Sequence, residues 1–422
     1  MQCRTVQGAG IVRADGGVAQ GYSGSGGGGR IAMNYDSMAQ AALPMPRPPL
    51  RFSAWSRYAS SELSLWPEMG TLYLPDTTLL AASSEADAVL DKQRFWHVRL
   101  VIGTHPTSWH PASLTITNCV IGFVEGFELH IGGDLQMQGI TGVSTPLSGT
   151  LQAGLRLFAA ASKQVYGARL TVGRDWTIGS DAWFYPRTSG TNGAIVGVSV
   201  GRDVRIAAGG GINAEQGGYL PQVDNLNGPG AGLNNDSGGS YGGHGGGGSY
   251  RPTYGLAALP LAPGSPGGWR DAGYGYTPSG SGGGAIHVLA GRNMVVDGWL
   301  RANGTSGNTY RGTGGSGGAI FLAAGRRFSG AGALQADGGT TDLQRAPGGG
   351  GRIAVWHHIP LDNVAQRIAT RNVGTLQYQE TIANFTGTLS VDVAASIISG
   401  FSQPERGTKG FYREAYTLLL LR

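Results

Sequence analysis

Through the middle of the chain, apolar and polar residues alternate in short runs that break at a glycine followed by an acidic or amide residue. Leu129-His-Ile131-Gly-Gly133-Asp134-Leu135-Gln-Met137, Leu170-Thr-Val172-Gly-Arg174-Asp175-Trp176-Thr-Ile178 and Val198-Ser-Val200-Gly-Arg202-Asp203-Val204-Arg-Ile206 are three copies of one unit. Val288-Leu-Ala-Gly291-Arg292-Asn293-Met294-Val-Val296 and Phe321-Leu-Ala-Ala-Gly325-Arg326-Arg327-Phe328 continue it more loosely. Period-two alternation on both sides of a turn predicts strand, turn, strand. The turns open at Gly132, Gly173, Gly201, Gly291 and Gly325, which gives spacings of 41, 28, 90 and 34 residues. A propeller needs a fixed period, whereas a β-solenoid tolerates insertions at one corner of a coil. No segment of useful length shows apolar residues at i, i+3, i+4 and i+7 with caps, so very little helix is expected.

A longer repeat brackets this body. Gly8-Ala-Gly10, Ala14-Asp15-Gly16-Gly17 and Gly26-Gly-Gly-Gly29-Arg30-Ile31-Ala32 return as Gly330-Ala-Gly332, Ala336-Asp337-Gly338-Gly339 and Gly348-Gly-Gly-Gly351-Arg352-Ile353-Ala354, every pair offset by 322. Pro67-Glu68-Met69-Gly70-Thr71 returns as Pro404-Glu405-Arg406-Gly407-Thr408 at an offset of 337. The chain therefore reads as a partial repeat over 1–82, duplicated by 326–422, then a β connecting segment over 83–127 and an irregular solenoid over 128–358. That solenoid carries a glycine-rich insertion over 207–285, and 359–422 forms a C-terminal β module. The expected class is all-β, a right-handed parallel β-helix with glycine-rich loops and small flanking β modules. Residues 207–285 have two readings: a flexible low-complexity loop, or glycine runs lying side by side as extended strands, an approach that only glycine permits.

Composition narrows the class. Glycine supplies 76 of 422 residues, against roughly 7% in average proteins, yet apolar residues still make up 40%, enough for a core. Charged residues are 14% and the net charge is +5 with no basic run, which argues against a nucleic-acid partner and leaves only weak attraction to acidic polysaccharide. Cys3 and Cys119 are too few for a disulfide framework or a Cys-based metal site. No apolar stretch reaches the ~18 residues of a membrane span, so no membrane insertion is expected. The N-terminus lacks an apolar signal core, but the chain opens inside a repeat, and the surface composition favours an extracellular or cell-surface location.

Candidate chemistry is sparse. Asp134, Asp175 and Asp203 recur at one position of successive copies, which suits side chains that bond their own turns better than a catalytic carboxylate. Arg30 and Arg352 follow the two tetraglycine runs, as donors to carbonyls left unpaired by the glycines or as a bidentate site for a sugar carboxylate. The Trp-His pairs at 96–97, 109–110 and 356–357, and His357-His358, place neighbouring rings on opposite faces of a strand, which disfavours a shared ligand or metal. Tyr241, Tyr250, Tyr254, Trp269, Tyr274 and Tyr276 in the insertion form the candidate binding surface, for carbohydrate or for another subunit. Asn235, Asn303 and Asn384 stand in glycosylation sequons. No catalytic residue, metal site or cofactor is assigned.

Gly-Gly-Gly-Gly-Arg-Ile-Ala, with Ala-Asp-Gly-Gly before it and Gly-Thr-Leu-Tyr-Leu-Pro after it, resembles the large, glycine-rich, secreted bacterial repeat proteins expected to form right-handed parallel β-helices. The resemblance spans roughly 1–82 and 128–422. It implies an adhesin-like, sheath-like or matrix component and carries no catalytic motif. The expected function is thus an extracellular structural or adhesive β-solenoid, with a filament or sheath subunit that stacks head to tail as its specific form. Two alternatives stay open: a β-helix polysaccharide lyase or hydrolase, and a phage-type receptor-binding adhesin.

Overall fold

The computed structural model describes residues 2–17, 26–56, 68–103, 108–139, 153–162, 165–221, 227–233, 236–249, 251–268, 279–307, 312–340, 345–394 and 402–415. The chain is nearly all β and forms a parallel β-helix. It divides into two compact units, one comprising Met1–Phe158, Ala168–Tyr185 and Gly209–Gly211, the other Ala159–Gly167, Pro186–Ala208 and Ile212–Arg422.

In the first unit, the strands predicted from the alternating pattern stack rung on rung. Leu129 pairs with Leu170, Leu135 with both Leu114 and Trp176, and Val120 with Gly154, all in parallel. The apolar member of each alternating pair faces inward: Leu129, Ile131, Leu135, Met137, Leu170, Val172, Trp176 and Ile178 are all buried. In the second unit one coil runs through Ala285–Ala290, Met294–Val296 and Trp299–Arg301, and the next through Ala319–Ala324, Phe328–Ser329 and Ala333–Gln335. Arg352–His357 stacks on Ala319–Ala324, and Thr408–Glu414 on Arg352–His357. Here both faces are covered. Ile320, Leu322, Ile353 and Val355 fill one side, while Phe321, Ala323, Ala354 and Trp356 pack on the other under Leu259, Val364 and Tyr412.

Asp134 and Asp203 bond the neighbouring coil. Asp134 Oδ1 accepts from the Asp175 N–H, Asp203 Oδ1 accepts from both the N–H and the Nδ2 of Asn293, and Asn293 Oδ1 accepts from the Arg327 N–H. Each side chain clips one coil to the next, which gives the recurrence a role between coils. Asp203→Ala is expected to lower stability by about 1–2 kcal/mol, since it strips the Asn293 N–H of its acceptor. Urea unfolding of the variant beside wild type measures this.

The insertion is ordered in its described parts. Its glycine runs lie beside those of the following coils and exchange backbone hydrogen bonds outside any sheet. Gly264 N–H donates to Gly283, Gly283 to Ser316, Gly317 to Gly349, Gly349 to Gly239 and Gly239 to Gly314. The strands approach so closely that a Cβ at Gly317 would overlap the Ala336 carbonyl oxygen. A core made of backbone replaces side-chain packing in this part of the second unit.

The two long repeats fold alike. Asp15 accepts from the Ser53 hydroxyl and the Trp55 N–H, and Asp337 accepts from the Ser390 hydroxyl and the Asp392 N–H. Gly28 N–H donates to Glu68 and Gly350 N–H to Glu405, while Thr71 N–H donates to Gly29 and Thr408 N–H to Gly351. The 15 residues by which the offsets differ (337 − 322) fall in the return segment that follows Arg30–Ala32 and Arg352–His357. In the first copy that segment holds the short helix Ser37–Ala41. In the second it holds the longer helix Leu361–Thr370 and the strand Leu376–Gln379, which pairs antiparallel with Thr408–Glu414. Leu361, Val364, Ala365 and Ile368 do stand at i, i+3, i+4 and i+7, a helical period that the sequence reading passed over. Val364 and Ile368 pack on the outer face of the sheet beside Trp356. Among the described residues, no helix is long and apolar enough to cross a membrane.

Candidate functional site

The insertion tyrosines that the structure describes are held inside the fold. Tyr241 is fully buried and its ring lies 4.7 Å from that of Tyr254. The Tyr254 hydroxyl donates to the Pro263 carbonyl at 2.5 Å and meets Ser265 Oγ at 2.8 Å. Burial pushes both phenols well above their ordinary range. Tyr241 anchors the insertion and offers no face to a sugar, which corrects the binding role expected of it, while Tyr254 is half-buried beside it. Tyr250, Trp269, Tyr274 and Tyr276 lie outside the described residues, as does Asn235.

Arg352 reaches the same cluster. Its Nε donates to the Tyr254 carbonyl at 3.1 Å, its Nη2 to the Tyr241 carbonyl at 3.4 Å and its Nη1 to Thr408 Oγ1 at 3.0 Å. The carbonyls it serves thus belong to the tyrosines, not to the tetraglycine run before it. Arg30, its counterpart in the first copy, is exposed. The sequon residue Asn303 is committed as well, accepting from the Asp337 N–H and donating to Glu215 Oε1.

An open polar cleft of about 430 Å³ lies on the first unit, lined by Asp87, Ser113, Thr115, Asp134, Gln136 and Arg174. The rung geometry builds it. Ala88, Leu114, Leu135 and Trp176 are stacked partners, so the residues just before them, Asp87, Ser113, Asp134 and Asp175, form one ladder along a corner. Thr115 and Gln136, one residue further along, form a second ladder that faces outward. Asp134 pairs with Arg174 at 2.9 Å, and Ser113 Oγ donates to Asp87 at 2.6 Å. Rows of amide, hydroxyl and carboxylate groups at the ~4.8 Å strand spacing offer repeated hydrogen-bonding partners to an extended polar chain. Comparison with family models, with curated proteins and with solved structures finds no match. The cleft therefore has to be read from its own groups. Among the described residues, no three His, Cys, Asp or Glu side chains gather where they could hold a metal ion.

A second cluster in the first unit escaped the sequence reading. Trp96 and His97 were assigned to opposite faces of a strand, yet their rings lie 4.5 Å apart because His97 takes a left-handed conformation, φ 47°. That turn brings both rings against Trp55, at 6.2 Å from Trp96 and 5.9 Å from His97. His358, at φ 58°, does the same for the His357-His358 pair, whose rings sit 5.2 Å apart. Trp109-His110 follows the strand rule: Trp109 is buried, and His110 stacks outside on His130 at 4.7 Å. Positive φ at a non-glycine residue stores strain, and the surroundings have to over-determine it.

Burial, reinforced by the nearby Arg156 and Arg51 guanidiniums, holds His97 neutral with its pKa lowered to about 3. An unfolded chain binds the proton near pH 6.5 while the folded one does not. Stability from this group is accordingly complete above about pH 6.5 and declines as pH falls toward about 3, by up to ~1.4 kcal/mol per unit. His97→Asn tolerates the left-handed backbone and lacks the titration. It is expected to flatten the acid limb of a plot of melting temperature against pH, and an unchanged limb would remove His97 as its cause.

Proposed function

We propose that this chain is an extracellular structural or adhesive β-solenoid, a rigid scaffold that presents polar surfaces to polysaccharide. The observation that carries the reading is the glycine bundle, in which neighbouring strands interlock through backbone hydrogen bonds with no room for a side chain at closely packed glycines such as Gly283, Gly317 and Gly349. Such a core spends sequence on rigidity. Low charge, abundant small polar residues and the open cleft over Asp87 to Arg174 agree with a surface-exposed role.

Self-association is the finer part of the proposal, and the two ends differ in what they offer. Arg30–Ala32 is the last strand of its sheet, with the segment from Gln2 bridging to Asn34 just beyond it, while the matching strand Arg352–His357 lies between Ala319–Ala324 and Thr408–Glu414. At the other end, Leu376–Gln379 already occupies the edge of Thr408–Glu414. Parallel head-to-tail growth along that row has to displace it. Negative-stain imaging of the purified chain tests the reading: rigid rods or fibres support it, and flexible, irregular particles sink it. Labelling of intact cells with an antibody against the chain tests the location.

A second reading draws on the cleft, where Asp87, Asp134 and Arg174 converge. Asp87 and Asp134 stand two rungs apart, about 9.6 Å between backbones, near the carboxyl separation of inverting glycosidases. The reading is polysaccharide cleavage, and it requires that reducing ends or unsaturated products appear on incubation with a polysaccharide and vanish in Asp134→Asn.

A further inference from the structure

We propose that the first unit holds a binding site for an anionic saccharide, a sugar bearing a carboxylate or a sulfate. Its parts are the guanidiniums of Arg51, Arg99 and Arg156 and the rings of Trp55 and Trp96. The site is separate from the polar cleft, and its failure would leave the scaffold reading intact.

Strand register assembles it. Thr71, Arg99, Gly122 and Arg156 are consecutive rung partners in one parallel sheet. Gly122 sits between the two arginines, and the Met69 thioether covers it: a Cβ there would lie 3.2 Å from Met69 Sδ, 3.6 Å from the Arg156 Cβ and 3.7 Å from the Arg99 Cβ. Aromatic faces fix the guanidinium planes, with Arg99 over Phe158 at 4.2 Å, Arg156 over Tyr185 at 5.2 Å and Arg51 over Trp96 at 5.0 Å. Stacking of this kind holds the planar fork in the geometry that takes an oxyanion through two parallel N–H bonds. His97 joins Arg51 and Arg156 to the tryptophan pair and brings no charge of its own.

The cluster has spare donors. Arg99 Nη2 is paired with Glu68 at 2.7 Å, but the Nε atoms of Arg51 and Arg99 are buried with no acceptor among the described residues. A buried donor left without a partner is uncommon; these two are enclosed, and an incoming oxyanion would meet the 18% of the Arg99 side chain that stays exposed. Trp55 and Trp96 add the flat apolar faces on which sugar rings stack. Cations, planar donors and aromatic faces together select an acidic sugar over a neutral one.

The test is affinity electrophoresis and calorimetry of the purified chain with polygalacturonate, with dextran sulfate and with neutral dextran, at about 150 mM salt to screen diffuse attraction. The two anionic polymers separate a carboxylate from a sulfate preference. Arg51→Gln and Arg99→Gln are each expected to weaken binding by about tenfold or more. Arg205→Gln, which removes an exposed cation in the second unit, is expected to leave it unchanged. Equal weakening by all three variants, equal binding of neutral dextran, or no binding by the wild type would overturn the proposal. Circular dichroism verifies folding, and if Arg51→Gln unfolds, the more accessible Arg99→Gln carries the test.

Discussion

Gly317→Ala is expected to destabilise the chain by about 4 kcal/mol or more, enough to unfold it or to leave the glycine bundle open. The φ of Gly317 lies outside the left-handed region, so its role is one of space. A methyl group there would overlap the Ala336 carbonyl oxygen and sit 2.6 Å from the Gly351 nitrogen, and both obstacles are backbone atoms that no rotamer change can move. Separating the strands would also break the bond from the Gly317 N–H to Gly349, which measures 2.9 Å. Gly17→Ala is the control: a Cβ there meets nothing within 4 Å, so the change is expected to be neutral or stabilising by a few tenths of a kcal/mol. Thermal and urea unfolding of the pair measures the contrast. Similar behaviour of the two variants would show that the bundle does not hold the second unit together.

Arg352→Ala is expected to lower stability by about 3 kcal/mol, and Arg30→Ala by no more than ~0.5 kcal/mol, although the two arginines occupy the same position of the long repeat. Arg352 is 6% exposed and bonds the Tyr241 and Tyr254 carbonyls and Thr408 Oγ1. Its guanidinium lies 5.4 Å from the Tyr241 ring. Removing it takes a donor from the Tyr254 carbonyl and one of two from the Tyr241 carbonyl, which keeps the Tyr254 N–H, and opens a void beside the Tyr241 ring. Arg30 stands exposed. Urea titrations of both variants decide the matter, and matched losses would mean that the arginine serves the glycine run in each copy, as the sequence pattern alone suggests.

These two positions show how far the sequence could be read. Alternation at Leu129–Ile131 and Leu135–Met137 forces a strand with one wet and one dry face, and the recurring break at glycine and aspartate forces a turn between strands. The inward and outward residues follow from that. The match between Asp15 and Asp337 was legible too, because a duplicated segment that folds once folds again.

Other features depend on residues distant in the chain. Asp134 and Asp203 bond a turn 40 or more residues later, a contact that no local rule anticipates. Trp96 and His97 share a face because of one left-handed backbone conformation, which neighbouring residue types do not dictate. Tyr241 looked like a contact surface among glycines, and it became a core residue once the insertion folded down over Arg352. The arginines at 51, 99 and 156 are scattered in sequence, and only the rung register gathers Arg99 and Arg156 around Gly122.

The sequence by itself determined the class of fold, the placement of the stacking strands and the likeness of the two ends, because side-chain periodicity and composition act over a few residues. Tertiary structure decided which glycines touch, which arginine is buried, which end of a sheet is closed and where cations and rings converge. Each of those depends on which coil lies beside which, and insertions of unequal length shift that register without leaving a mark in local pattern.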